Sequence, residues 1–397
     1  GVADTRTRHI DRSPYNDPYP YTFEMLDKYP AGIGVGMGPA GYFSDILKTK
    51  TNHLVVRGIP TKTTVLKLKD PKLPGLRGRL HYDLGSVRIF FVGVGGHLEL
   101  INIALIEGGA YVPNHSYSSN SYNSGGGVYN LGFLLVGGCH FIGNRGERAG
   151  GAISNEGFTK VFGSTFSKNH GHYGGGSVAN GDRHLGSNPS SRTEIYSSLF
   201  EGERLGWGNG GALLNQGGSM SVETSRFTKC RGYFSCAYPK YKWHGGAIHC
   251  NGGQTNITDC TFDHNFVYTG GGAISLTGGS TASIVRSQFL NNTVDDHMKE
   301  DDSYDGPNTI FACYGQGNGG ALFIDGDNTN VDIIQCTFDG NRAGAHGRHN
   351  EGEGGAIYIG DGASVNIASS FFLNNDATRG AGVHSKDGTK SLIINTK

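Results

Sequence analysis

Long hydrophobic runs are missing from this chain: nowhere do about 18 apolar residues follow one another, so nothing reads as a membrane-spanning helix. The opening Gly-Val-Ala-Asp-Thr-Arg lacks the charged-then-apolar pattern of a secretion signal, as expected of an already processed chain. An excess of charge is missing too. Lys plus Arg number 34 and Asp plus Glu number 34, so no global field steers the protein toward nucleic acid or an anionic membrane. Proline is scarce, 12 residues, which excludes a collagen-like helix despite abundant glycine. What the chain does hold is 67 glycines in 397 residues, together with 20 Phe and 19 Tyr, enough apolar material to offset the ordering entropy of a folded body.

The glycines fall in a repeat. A small-residue doublet recurs with its second glycine at Gly127, Gly151, Gly176, Gly211, Gly246, Gly272, Gly320 and Gly355, and more loosely at Gly382. After each of the first eight comes Cys or Ser, one residue, then Phe: Phe141, Phe166, Phe200, Phe227, Phe262, Phe289, Phe338 and Phe372. Six of these open a Phe-x-x-Asn, ending at Asn144, Asn169, Asn265, Asn292, Asn341 and Asn375; Glu203 and Cys230 are the departures.

Between the markers the residues are β-branched and alternate, as in Ser283-Ile-Val-Arg-Ser-Gln-Phe289, which is strand patterning and excludes a helical repeat. The shortest unit, 24 residues from Gly127 to Gly151, is one solenoid coil, and longer spacings carry insertions. A strand that pairs with its own copy one turn later builds a parallel β-helix, all-β, with coils about 4.8 Å apart. Equivalent phenylalanines then stack as an internal ladder, and equivalent asparagines bond along the axis at a bend.

Gly150-Gly-Ala-Ile153 with Phe166-Ser-Lys-Asn169, and Gly354-Gly-Ala-Ile357 with Phe372-Leu-Asn-Asn375, resemble the repeat of the polymorphic outer-membrane proteins of chlamydiae, over about residues 88–383. The resemblance implies a right-handed, pectin-lyase-like parallel β-helix serving adhesion or surface architecture. It carries over no catalytic residue and no cofactor.

Outside the repeat, residues 1–80 read as an extended arm and cap, and 81–397 as the β-helix. Eight of the 12 prolines lie in the first 74 residues, with Tyr15, Tyr19, Tyr21, Tyr29 and Tyr42. Short helices are expected at 22–29 and 42–50, strand at Leu54–Leu68, and an opening coil from Arg88 to Leu100; no matching cap is evident at the C-terminal end, where an open edge would invite a partner. Gly36-Met-Gly-Pro-Ala-Gly41 matches a dinucleotide fingerprint in letters alone, without a βαβ context.

Insertions at 231–244, 293–318 and 342–353 follow the same corner and emerge along one edge. The first offers Tyr233, Phe234, Tyr238, Tyr241 and Trp243 among cations, suited to a sugar ring or a protein anchor. The second offers Asp295, Asp296, Asp301 and Asp302 as a Ca²⁺ candidate without EF-hand spacing. The third holds His346, His349, Glu351 and Glu353; His170 with His172 and His244 with His249 are further pairs, none with zinc-site spacing. Asp325, Asp327 and Asp361 sit in neighbouring coils as the one carboxylate grouping a hydrolase would need, and equally as turn residues. Cys139, Cys260 and Cys336 hold equivalent slots too far apart to pair and are expected as buried free thiols, whereas Cys230 and Cys236 are the simplest candidates for a disulfide.

The expectation is a non-catalytic extracellular or cell-surface structural protein, with protein partners or self-assembly, no nucleic acid and no membrane insertion. A carbohydrate-binding adhesin is the alternative, and a polysaccharide lyase or hydrolase the less supported one.

Overall fold

A computed structural model describes residues 5–9, 22–26, 33–34, 52–58, 64–67, 88–110, 124–181, 188–205, 208–232, 244–294, 317–344 and 352–397. It is a right-handed parallel β-helix. One coil shows the plan: Ile153–Asn155, Phe158–Phe162, Thr165–Ser167 and His170–Gly171 are four successive strands. Stacked coil on coil, their equivalents form an 11-stranded sheet (sheet I), a 13-stranded sheet (sheet II), a 10-stranded sheet (sheet III) and short four- and three-stranded sheets at the last corner.

The repeat motif explains the corners. Gly150 has φ +61°, and a Cβ there would lie 2.1 Å from Ile153 O; a Cβ on Gly151 would lie 2.2 Å from Gly176 O in the next coil. The doublet is therefore a backbone requirement, supplying one left-handed residue and one close approach between coils. After sheet II and after sheet III the chain turns on a single left-handed residue, as at Thr224 (φ 49°) and Lys229 (φ 54°).

Inside, Phe141, Phe166, Phe200, Phe227, Phe262, Phe289, Phe338 and Phe372 stack in one file with ring centroids 4.7–4.9 Å apart and planes within 9°. The first seven are fully buried. Burial of each ring contributes roughly 1.5–3 kcal/mol. Facing them are the aliphatic files of sheet I (Val128, Ile153, Val178, Leu213, Ile248) and sheet II (Val136, Val161, Ile195, Val222, Ile257).

The asparagines close the bend after sheet III. Asn292 Oδ1 accepts from the backbone N and from Nδ2 of Asn265 (3.1 and 2.9 Å), while Asn292 Nδ2 donates to Phe262 O and to Asn341 Oδ1 (3.0 and 2.9 Å). A second buried asparagine ladder, Asn130, Asn155, Asn180 and Asn215, runs at the corner between sheets I and II, with Nδ2 to Oδ1 distances of 2.8–2.9 Å.

At the N-terminal end the parallel stack begins earlier than Arg88: Asn52–Arg57 and Thr64–Lys67 already pair in parallel with Gly96–Ile101 and Ile103–Ile106. Thr22–Leu26, expected as part of a helix, is a strand. It joins Asn52–Arg57 and Thr5–His9 antiparallel, because the first coil offers unpaired backbone groups that a strand satisfies and a helix does not. Ile33–Gly34 covers Phe90–Val92 in the same way. The expected helix at 42–50 lies outside the described residues.

Candidate functional site

Alternate residues of sheet II point outward, and in-register parallel pairing lines them up in files. One file runs His53, His97, Phe133, Phe158, Arg192. Ring centroids are 3.9 Å apart for His53 and His97, 4.2 Å for His97 and Phe133, and 5.1 Å for Phe133 and Phe158; the Arg192 guanidinium lies 5.4 Å from the Phe158 centroid. Beside it, Lys160 Nζ sits 5.2 Å over the Tyr196 ring and 3.5 Å from Glu194 Oε2. Glu194 also pairs with Arg192 and accepts from the Tyr196 hydroxyl at 3.2 Å. Phe162 lies across Gly137, where a Cβ would meet its ring at 2.2 Å, and stays 41% exposed.

Farther along the same face the outward residues lose their aromatic rings: Ser219, Ser221 and Glu223, Asn256, Thr281, Ser283 and Val285, then Asp332, Ile334 and Asn366. The N-terminal part is therefore a patch of aromatic rings, tilted 34–62° from one neighbour to the next and flanked by charged side chains, a surface chemistry suited to contact with planar or sugar-like groups. Sequence reasoning missed it. Its signal was the outward Phe of Leu131-Gly-Phe133 and Glu156-Gly-Phe158, each at the start of a sheet II strand.

Tyr233, Phe234, Tyr238, Tyr241 and Trp243, Asp295, Asp296, Asp301 and Asp302, His346, His349 and Glu351, and the Gly36–Gly41 motif all lie outside the described residues. Their attachment points do not. Segments 111–123, 233–243, 295–316 and 345–351 each connect the last short strand of a coil to the next glycine doublet, so all four depart from one corner of the rod.

The remaining expected groups are placed as follows. Glu353 is buried and paired, 3.0 Å from Arg379 Nη1 and 3.6 Å from His384 Nε2. The rings of His170 and His172, and those of His244 and His249, stand 6.4 Å apart, and His244 instead stacks on Phe323 at 4.5 Å. Asp325 and Asp361 each precede a glycine of positive φ, Gly326 at 97° and Gly362 at 75°, on the turn after sheet I. Gly326 N donates there to Asp361 O, and Lys386 reaches Asp361 Oδ2 at 3.8 Å.

Cys139, Cys230, Cys250, Cys260 and Cys336 are free and buried. The expected pairing of Cys230 with Cys236 is therefore corrected at Cys230. Its side chain turns into the core, with Sγ 3.6 Å from Phe200 O, because it occupies the inward slot that asparagine fills in other coils. Cys236 itself lies outside the described residues. Burial pushes the Cys139 and Cys336 thiols up to about 11 and those of Cys250 and Cys260 up to about 12, which leaves them inert.

Glu203 stands in the asparagine ladder, fully buried, accepting from Asn169 N at 2.8 Å and from Asn169 Nδ2 at 3.4 Å. Burial drives its carboxyl up to about 8, only partly countered by hydrogen bonds from Ser177 and Asn169. Among the described residues, one group of side chains could share a metal ion: His53, His97 and Glu99, with ligand atoms all within 4.8 Å of one another.

Two stretches, residues 259–277 and 335–360, match the family model of the Chlamydia polymorphic membrane protein repeat. Each begins on the left-handed residue after sheet II, Asp259 or Gln335, and runs through Phe-x-x-Asn and the glycine doublet into sheet I. No curated protein and no solved structure matches the chain.

Proposed function

We propose that the protein is a non-catalytic structural rod of the cell surface that associates with further protein, including copies of itself, along the edge from which its long segments depart. The observation carrying this reading is the common departure corner of 111–123, 233–243, 295–316 and 345–351. That corner carries four long segments, whereas the corner between sheets I and II carries one, around 182–187. A rod of this kind spaces its variable segments at multiples of the coil height, which suits display and lateral association. The matched repeat belongs to membrane proteins, which supports an outer-membrane or cell-surface setting.

The test is sedimentation of the intact chain over a wide concentration range, beside a variant whose segments 233–243 and 295–316 are replaced by Gly-Ser linkers of equal length. Association of the intact chain that the linker variant loses supports the proposal. An intact chain that stays monomeric throughout, or a variant that associates equally well, sinks it.

A second reading, a carbohydrate-binding adhesin, is favoured by the Phe133, Phe158, Phe162 and Tyr196 patch with its flanking Lys160 and Arg192. A glycan array probed with the intact chain and with Phe158→Ala/Phe162→Ala separates the two. Base–aromatic and sugar–aromatic stacking of this kind is worth about 1 kcal/mol or more per ring, so a bound glycan would lose at least about tenfold in affinity. Signal that survives the double substitution places any glycan contact elsewhere.

A further inference from the structure

The three side chains His53, His97 and Glu99 come from the first two coils of the rod. Asn52–Arg57 and Gly96–Ile101 are neighbouring parallel strands whose register sets His53 opposite His97 and Val55 opposite Glu99. His53, His97 and Glu99 thus share the outer face of sheet II, with Glu99 two residues beyond His97 on the same strand. Glu99 Oε1 lies 2.7 Å from His53 Nε2 and 3.3 Å from His97 Nε2. His97 Nε2 is shut off from solvent and has no hydrogen-bond partner among the described residues, although it faces that carboxylate. Phe133 closes the far side of the His97 ring at 4.2 Å. His53 remains partly exposed, so the cluster opens to solvent on one side.

We infer that His53, His97 and Glu99 form a binding site for a divalent transition-metal ion of the zinc class. Two imidazoles and one carboxylate are the donor set such ions select, whereas Ca²⁺ and Mg²⁺ select oxygen. Zinc bonds of about 2.0–2.1 Å in tetrahedral geometry hold ligand atoms about 3.3 Å apart. The His97–Glu99 pair already has that spacing; the His53–Glu99 pair must open by about 0.6 Å, and the His53–His97 pair, with all ligand atoms within 4.8 Å, must close by at most about 1.5 Å, both through rotation of the exposed His53 ring. The strands that carry the ligands pair with each other along their length, and Gly96–Ile101 pairs again with Phe133–Gly137 on its other side, so the site is built on backbone-paired elements. Three protein ligands leave a fourth position for water or for a donor from outside. A bound ion would join the first coil to the second just where the antiparallel strands meet the stack, and would raise the resistance of that end to unfolding by mass action.

The experiment uses the intact chain and Zn²⁺ alone. Equilibrium dialysis with metal quantification is run on the wild type, His53→Gln, His97→Gln, Glu99→Gln and a control, His140→Gln, which alters an exposed histidine of sheet III. Each of the three site variants is expected to weaken one Zn²⁺ equivalent by more than about tenfold, with the control unchanged. Undiminished binding in His97→Gln and Glu99→Gln overturns the assignment. In parallel, diethyl pyrocarbonate footprinting of the wild type reads the same question without substitution. Zn²⁺ should protect the partly exposed His53 and leave His140 and His264 reactive. Protection confined to other histidines, His346 and His349 included, refutes the site even if a variant were to fold poorly.

Discussion

Glu203 is the one acidic side chain placed in the buried asparagine ladder, and it makes the stability of the rod depend on pH in a direction opposite to that of most carboxylates. Buried completely, with its carboxyl raised from 4.5 to about 8, it keeps its proton in the folded chain at pH values where the unfolded chain has lost it. The folded state therefore binds more protons than the unfolded one between those two values, and stability falls as pH rises through that window. Below the unfolded value, and again above about 8, the contribution is flat. At pH 7 the gap above the unfolded value is about 2.5 pH units, which at about 1.4 kcal/mol each amounts to about 3 kcal/mol. Glu203→Gln retains the shape and can still accept from Asn169, yet has no proton to lose. The variant should then gain on the wild type by about 3 kcal/mol between pH 4.5 and pH 7, measured by urea unfolding followed by circular dichroism. Amide exchange over 164–178 and 199–205 gives the same reading locally, which matters in a solenoid whose ends can open separately. A wild-type-minus-variant difference that does not change with pH, or that changes in favour of the wild type as pH rises, would refute the reasoning.

Two further outcomes follow from the ladders and the core. Asn292→Ala removes four buried hydrogen bonds and leaves the backbone N–H of Asn265 without its acceptor, so it should destabilise by about 4–6 kcal/mol, a shift in urea midpoint that a neutral surface change such as Asn256→Ala would not produce. The five buried thiols should ignore Ellman's reagent in the native chain, so that at most two of the seven cysteines titrate until denaturant is added; an early third equivalent would contradict the buried placement of Cys230 or Cys250.

The ladder phenylalanines and the six Phe-x-x-Asn asparagines were legible because both the letter and its offset from the next marker repeat. The second asparagine ladder was equally visible in principle, since Val128-Tyr-Asn130, Ile153-Ser-Asn155, Val178-Ala-Asn180 and Leu213-Leu-Asn215 share one pattern. It escapes notice because it stops: Cys250, Leu276, Ile324 and Ile359 take over the slot, and a polar ladder gives way to an apolar one without any change in the coil. The strand at Thr22–Leu26 was misread for a different reason. Its local composition does not decide between helix and strand, and the open edge of the first coil does.

For the candidate sites the sequence offered residue types but not neighbours. His53 and Glu99 are 46 residues apart, and the strand bearing His53 has neither the glycine doublet nor the phenylalanine that marks later coils. Phe133, Phe158 and Arg192 lie at unequal intervals, 25 and 34 residues, because segment 182–187 and its flanks intervene between the last two. The sequence by itself determined the coil: its small corners, its alternating strands and its inward phenylalanines, all consequences of local sterics and of side-chain period repeated many times. Only the tertiary structure decided which outward side chains meet, since insertions of unequal length separate them along the chain and backbone pairing between successive coils alone restores the register that brings them face to face.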